Sequence, residues 1–409
     1  MRWFKWLRWY AAALVLRCSH LNRALDLLGG FMQTSYRHHY VPEWYQRRFM
    51  LDGQKSYFRL DLSPEEIVRP DGQSVKIGEI LNKGPTRFFY EVDLYTTQWF
   101  GEKNDEIERH LFGHIDSSGS KALSALASEE WMREIHPHVT NIFEYMDAQR
   151  IRTPKGLEWL TRVTRAKTHN ELLLRMQELR RMHCTMWAEA SLEVVSANES
   201  ETKFIVSDNP VTLYNSVFYP GNEQCRFPND PGIHLKGTRT IFPIDLNHCV
   251  ILTNKEFARS PGKFKAPKPR TNARYFDQTI INYSDFIRER EFSEQQVIVV
   301  NHILKSRAHK YIAAAKKEWL YPEKYLKKKD WGKLDKVFVS KSTKLLGRDS
   351  EIFIGGEGGK LMATQDEFGR RPQSSGEWKA KEQQMQKMHA DLMRLLAKEK
   401  SNKAFKSDS

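Results

Sequence analysis

The spacing of apolar positions divides the chain into strand-like and helix-like stretches. Residues 57–62 and 91–97 show short apolar alternation bordered by turn chemistry such as Ser63-Pro64, Pro70-Asp71-Gly72 and Lys83-Gly84-Pro85, which predicts β-strands. Residues 203–207, the stretch around Phe242 and residues 249–253 predict further short buried strands, the last two joined as a hairpin through Asp245-Leu246-Asn247-His248. Between these the period becomes helical. Ile107, Leu111 and Ile115 fall on one stripe, and Asp105 with Glu108 has the D-x-x-E spacing of a capping box. Residues 134–152 continue as helix and stop before Thr153-Pro154. Residues 157–194 carry Leu160, Leu173, Met176, Leu179 and Trp187 at spacings of three and four, which predicts helix throughout. A last long helix is expected over residues 293–315, running into Lys316-Lys317-Glu318-Trp319. Residues 210–231 and 259–274 read as loops.

The fold class this pattern implies is α+β, with a helical centre, short antiparallel strands on either side, and appended N- and C-terminal helices. The expected divisions are a basic Trp-rich helical extension over 1–36, one domain over 37–318, a basic then Gly/Gln-rich irregular segment over 319–376, and a charged amphipathic helix and tail over 377–409. On that last helix Met385, Met388, Leu392, Leu395 and Leu396 make an apolar stripe suited to a protein partner.

Composition narrows the class. A hydrophobic fraction of 40% with 12% aromatics is that of a chain with a packed core rather than a disordered one. The longest uncharged run near the N-terminus, residues 9–16, falls far short of the roughly 20 residues that span a bilayer. Arg17 then interrupts any secretory pattern. Cys18, Cys184, Cys225 and Cys249 are scattered without a C-x-x-C pair, so a reducing, cytoplasmic location is expected.

Charge changes the picture more. The formal net charge is +14, yet it sits at the ends. Residues 1–37 hold six basic residues against one acid, and residues 305–348 hold fourteen against four, whereas residues 38–304 hold thirty-four against thirty-six. Nucleic acid is therefore expected to engage the basic ends. Trp and Phe interleaved with Arg2, Lys5 and Arg8 also suit attachment to an anionic membrane surface, which would place the protein peripherally at the inner membrane face.

Five segments in order resemble a bacterial domain of unknown function, family 4238. His39-Tyr40-Val41-Pro42, followed by Tyr45 and Phe49, is similar to the family's H-Y-V-P-x-x-Y-L-x-x-F opening. Asn104-Asp105-Glu106-Ile107-Glu108 is similar to N-D-x-I-E, and Arg152-Thr153-Pro154 to its R-T-P break. Ser207-Asp208-Asn209-Pro210 resembles its strand ending S-D-N-P. Phe242-Pro243-Ile244-Asp245, with Asn301 in a later helix, resembles its P-L-S hairpin and terminal helix. The likeness covers about residues 38–315. Gln46 and Asp245 depart mildly from the pattern, and the resemblance implies no reaction.

Chemistry must come from the residues. No G-x-x-x-x-G-K-[ST], G-x-G-x-x-G, G-x-S-x-G or H-E-x-x-H is present. The residue before Pro42 is held extended, which fixes His39 as a candidate metal ligand or base. Glu108 in a first helical turn and Asp208 at a strand end supply carboxylates. His39, Glu108 and Asp208 are expected to converge on one Mg²⁺ or Mn²⁺, with Asn209 orienting a phosphate or water, for hydrolysis of a phosphodiester by a nuclease-like enzyme. Arg150, Arg152, Lys263 and Lys265 are the expected phosphate contacts. Glu106, His110 and His114, spaced four apart, form a lesser Zn²⁺ candidate. The alternatives are a non-catalytic protein that binds nucleic acid or protein, and a membrane-peripheral protein.

Overall fold

A computed structural model describes residues 37–71, 73–99, 102–128, 132–259, 267–270, 286–288, 290–326, 330–340, 351–366 and 371–407. The architecture is α+β: two sheets and a set of helices share one hydrophobic core. In the four-stranded sheet the order is Val206–Ser207, Tyr311–Ala314, Tyr57–Asp61, Ile80–Lys83, antiparallel throughout. The five-stranded sheet runs Thr212–Tyr214, Arg239–Pro243, His248–Asn254, Ala190–Ser196, with Phe286–Ile287 added in parallel at the edge. Ala190–Ser196 and His248–Asn254 are buried on both faces at nearly every position. This is why they read as apolar runs rather than as a clean alternation.

Two helical expectations give way to strands. The helix Glu294–Arg307 opens with the Ser293–Gln296 capping box but ends at Ala308, whose ψ of 153° leaves the helical region. Tyr311–Ala314 then pairs with Tyr57–Asp61 on one side and Val206–Ser207 on the other. An Ala-rich run has high helix propensity, and the empty slot between two strands overrides it. Likewise residues 157–194 are not one helix. Pro154–Thr164 stops at Arg165 in the left-handed region (φ 56°), His169–Glu178 restarts from a Thr168 N-cap, and Cys184–Ala188 leads into the strand Ala190–Ser196.

Smaller differences have local causes. Asp93, with φ 57°, breaks the stretch 91–97 into Tyr90–Val92 and Thr97–Trp99. The expected capping box at Asp105 is absent, because the Asp105 carboxylate takes the Arg109 guanidinium at 2.7 Å. The turn Ile107–Phe112 is π-helical and runs into Gly113–Ala127. Thr212–Tyr214 is a strand inside the stretch read as loop. Glu351–Gly355 and Leu361–Asp366 form a hairpin in the segment expected to be irregular. The C-terminal helix is present as Ser375–Ser407. Residues 1–36, Lys263 and Lys265 lie outside the described residues. Among the described residues no helix is long and apolar enough to cross a membrane.

Candidate functional site

The S-D-N-P segment leaves the strand Val206–Ser207 and delivers Asp208 to the start of Tyr311–Ala314. There its carboxylate accepts three main-chain N–H groups, from His309 at 2.8 Å, Lys310 at 2.6 Å and Tyr311 at 2.7 Å. Burial pushes this carboxyl upward against the pull of those donors. These three contacts order the chain at the start of that strand. His39 packs against Tyr90 and lies 3.7 Å from the Glu43 carboxylate, and burial lowers its basicity. The fully buried imidazole is the neighbouring His38, whose Nδ1 accepts the Tyr95 N–H at 2.9 Å.

Glu108 lies on the π-helical turn beside Arg152. Burial pushes its carboxyl up to about 7; Arg152 opposes the shift, while Asp116 and Asp105 add to it. One of its oxygens is buried without a hydrogen-bond partner. Arg152, fully buried, is gripped by both oxygens of Asp116 (2.9 and 3.1 Å) and by Gln149 at 3.0 Å. Among the described residues no group of three or more His, Cys, Asp or Glu side chains is placed to hold a metal ion. His39, Glu108 and Asp208 therefore do not converge. Glu106, His110 and His114 are all exposed, and the π-turn disrupts the spacing that would have aligned them.

What the fold does bring together lies on the other side of the R-T-P break. The helix Val139–Ile151 ends, Thr153 caps the next helix by accepting the Gly156 N–H at 3.1 Å, and Pro154 occupies its first turn. The two helix ends approach so closely that a Cβ on Gly156 would lie 2.3 Å from the Arg150 carbonyl oxygen. That bend aims Arg150 and Lys155 at the same carboxylate, Asp230, at 3.0 and 2.8 Å. Arg307, at the end of Glu294–Arg307, stands 3.9 Å from it. The Arg307 carbonyl accepts both the Lys155 ammonium (2.9 Å) and the Asn209 side-chain amide (3.3 Å).

Burial raises the Asp230 carboxyl, yet Lys155, Arg150 and Arg307 together hold it down at about 2. Burial also draws the Lys155 ammonium below its ordinary value. Three cations on one acid leave the cluster with two positive charges in excess.

A histidine completes the wall. Arg150, Lys155, Trp159, His183, Asn209 and Asp230 line one cavity with room for about one water molecule. Asp147 accepts the main-chain N–H groups of Arg181 (2.5 Å) and His183 (3.1 Å) and holds the His183 Nδ1 at 2.7 Å. Trp187 stacks on the ring at 5.5 Å. An Nδ1–H committed to Asp147 leaves Nε2 as the nitrogen for proton transfer.

The family model described as Protein of unknown function (DUF4238) matches residues 37–318. The chain belongs to the DUF4238 family. No curated protein and no solved structure matches it. Of the DUF4238-like segments, S-D-N-P reaches the cavity through Asn209, and R-T-P is flanked by two residues that line it, Arg150 and Lys155. Asp147, His183, Asp230 and Arg307 carried no local motif. Asp230 sits in a stretch read as loop, and only the third dimension sets it against cations about 75 residues away in either direction.

Proposed function

We propose that this DUF4238 domain is a phosphodiester hydrolase acting on nucleic acid, with its centre at the Arg150–Lys155–His183–Asp230 cluster, whose cavity, with room for about one water molecule, must open to admit the phosphate. The observation that carries the reading is the pairing of surplus buried positive charge with a histidine oriented by a carboxylate. Arg150 and Lys155 supply what a phosphoryl group gaining charge in the transition state requires. His183 Nε2 takes the proton of an attacking water as its oxygen bonds to phosphorus. Lys155, its ammonium made more acidic by burial, gives a proton to the leaving oxygen as the P–O bond breaks. Asn209 positions Lys155 through the shared Arg307 carbonyl.

Mg²⁺ or Mn²⁺ on His39, Glu108 and Asp208 is not carried into this reading, since these side chains form no common group among the described residues. The charge role falls to side chains, and EDTA is expected to leave the rate unchanged. The test is cleavage of a labelled oligonucleotide by the purified protein. His183→Gln is expected to lower kcat by about 100-fold or more, with the melting temperature nearly retained. Undiminished turnover in that variant would reject the assignment.

The second reading, a protein that binds without turnover, is supported by the exposed Met388, Leu392 and Leu395 on the helix Ser375–Ser407. It predicts capture of a protein partner through that helix, lost in Leu392→Glu, with no oligonucleotide product in any variant.

A further inference from the structure

The hairpin of Glu351–Gly355 and Leu361–Asp366 covers only the front of the helix Ser375–Ser407. Lys381 pairs with Glu351 at 2.5 Å and lies over the Phe353 ring, and a Cβ on Gly359 would sit 2.9 Å from the His389 Cβ. From residue 390 to residue 395 every position is exposed, Leu392 by 54% and Leu395 by 62%. The helix continues to Ser407, so residues 390–407 extend about 27 Å past His389. A helix of that length without a neighbour is marginal in water. Its apolar positions also follow a strict spacing. Trp378, Met385 and Leu392 recur every seven residues, with Met388 and Leu395 three places after the last two. Two apolar positions in seven make the narrow seam of a coiled coil, not the wider stripe of a helix lying on a globular core. The hairpin takes the front of this seam and leaves Met388, Leu392 and Leu395 open.

We propose that this open end of the helix pairs with the same segment of a second copy of the chain, antiparallel, with Leu392 of each copy set against the partner's Leu395. Charge selects both the partner and the direction. In that register Asp391 stands beside position 398 of the other copy, which is Lys, on both edges of the seam. Asp391 meets its own Arg394 at 3.6 Å, but both are largely exposed, and so weak a pair leaves the carboxylate open to a second cation. Laid parallel, the same sequence would set Glu399 against Glu399 in the seam and Lys398 against Lys403 at its edge, both repulsive. Glu399, one heptad after Leu392, also ends the apolar run, so the shared seam is short and the dimer forms and dissociates with concentration. The inference holds with or without turnover at the cation cluster, which lies on other elements of the fold.

Sedimentation equilibrium of the full-length protein tests this. The mass is expected to rise from monomer toward dimer between about 1 and 100 µM. Leu392→Glu should remain monomeric over that range with its melting temperature unchanged, because the side chain it replaces touches nothing within its own chain. Asp391→Lys is expected to weaken association about five-fold or more, and Lys398→Asp to do the same. The two changes together should restore it, since the exchanged charges face one another again across an antiparallel seam. A parallel pair would behave differently: Lys398→Asp alone would strengthen it by removing the clash with Lys403. A protein that is monomeric at every concentration overturns the proposal and leaves the seam to a different partner. A dimer that survives Leu392→Glu, or a double variant no tighter than the single ones, overturns it as well.

Discussion

Asp208 illustrates how a polar residue at a strand end divides between two kinds of work. A carboxylate open to solvent at such a position is free to bind a cation; one that accepts three main-chain N–H groups closes a turn. The S-D-N-P spelling is the same in both cases, because the donors come from residues 309–311, a hundred positions later. Substituting it therefore acts on stability before chemistry. Asp208→Ala takes the acceptor away from three partly buried N–H groups, which costs stability. The expected outcome is a loss of about 1–3 kcal/mol by chemical denaturation, with any loss of turnover tracking the unfolded fraction. Arg150 was legible as a cation beside the R-T-P break, and the structure sets it on Asp230. His183 was not, since a histidine gains its direction from Asp147, on another helix, and no spacing within the sequence records that.

At the scale of elements, the bend between Val139–Ile151 and Pro154–Thr164 sets the site. Thr153 and Pro154 announce it in the sequence, as a cap and a first-turn proline. Gly156 enforces it. Gly156→Ala places a methyl against the Arg150 and Ile151 carbonyl oxygens, so the two helices must separate, and the expected cost is about 1–3 kcal/mol. Turnover should fall further than stability does, because the same movement parts Arg150 and Lys155 from Asp230. Comparing kcat with the denaturation midpoint distinguishes the two effects. Where the pattern misled, at residues 311–314 and 189–194, the cause was shared: strands buried on both sides carry no alternation, and helix-forming residues occupy them when a neighbouring strand supplies the hydrogen bonds.

Across the whole molecule, the family match and the folded unit end at different places. The match stops at residue 318, but Trp319, Leu320, Leu334 and Phe338 are buried in the shared core. Asp335 pairs with the buried Arg239, and Arg290 donates to the Val337 carbonyl at 2.7 Å. Four buried apolar side chains are worth about 1.5–3 kcal/mol each, a sum of the order of an ordinary domain's entire stability. A chain ending at residue 318 is expected to be unfolded or aggregated, as read by far-UV circular dichroism and gel filtration, whereas one ending at residue 340 should melt cooperatively. The basicity noted over residues 305–348 is partly consumed by this return. Lys305 holds the Leu320 carbonyl and Glu323 at 2.8 and 2.9 Å, and Arg307 is buried beside Asp230.

Arg150 and Arg152 leave the same last helical turn in different directions, and their surroundings differ in charge. Around Arg152, the acids Asp116 and Asp105 balance the cations Arg152 and Arg109, and Glu108, its carboxyl pushed up to about 7, adds only part of a charge. Around Arg150, the cations outnumber Asp230 by two. One turn of backbone thus separates a nearly balanced compartment from a positive one, and the field across the bend points a fixed way. The bend therefore sorts charge as well as turning the chain.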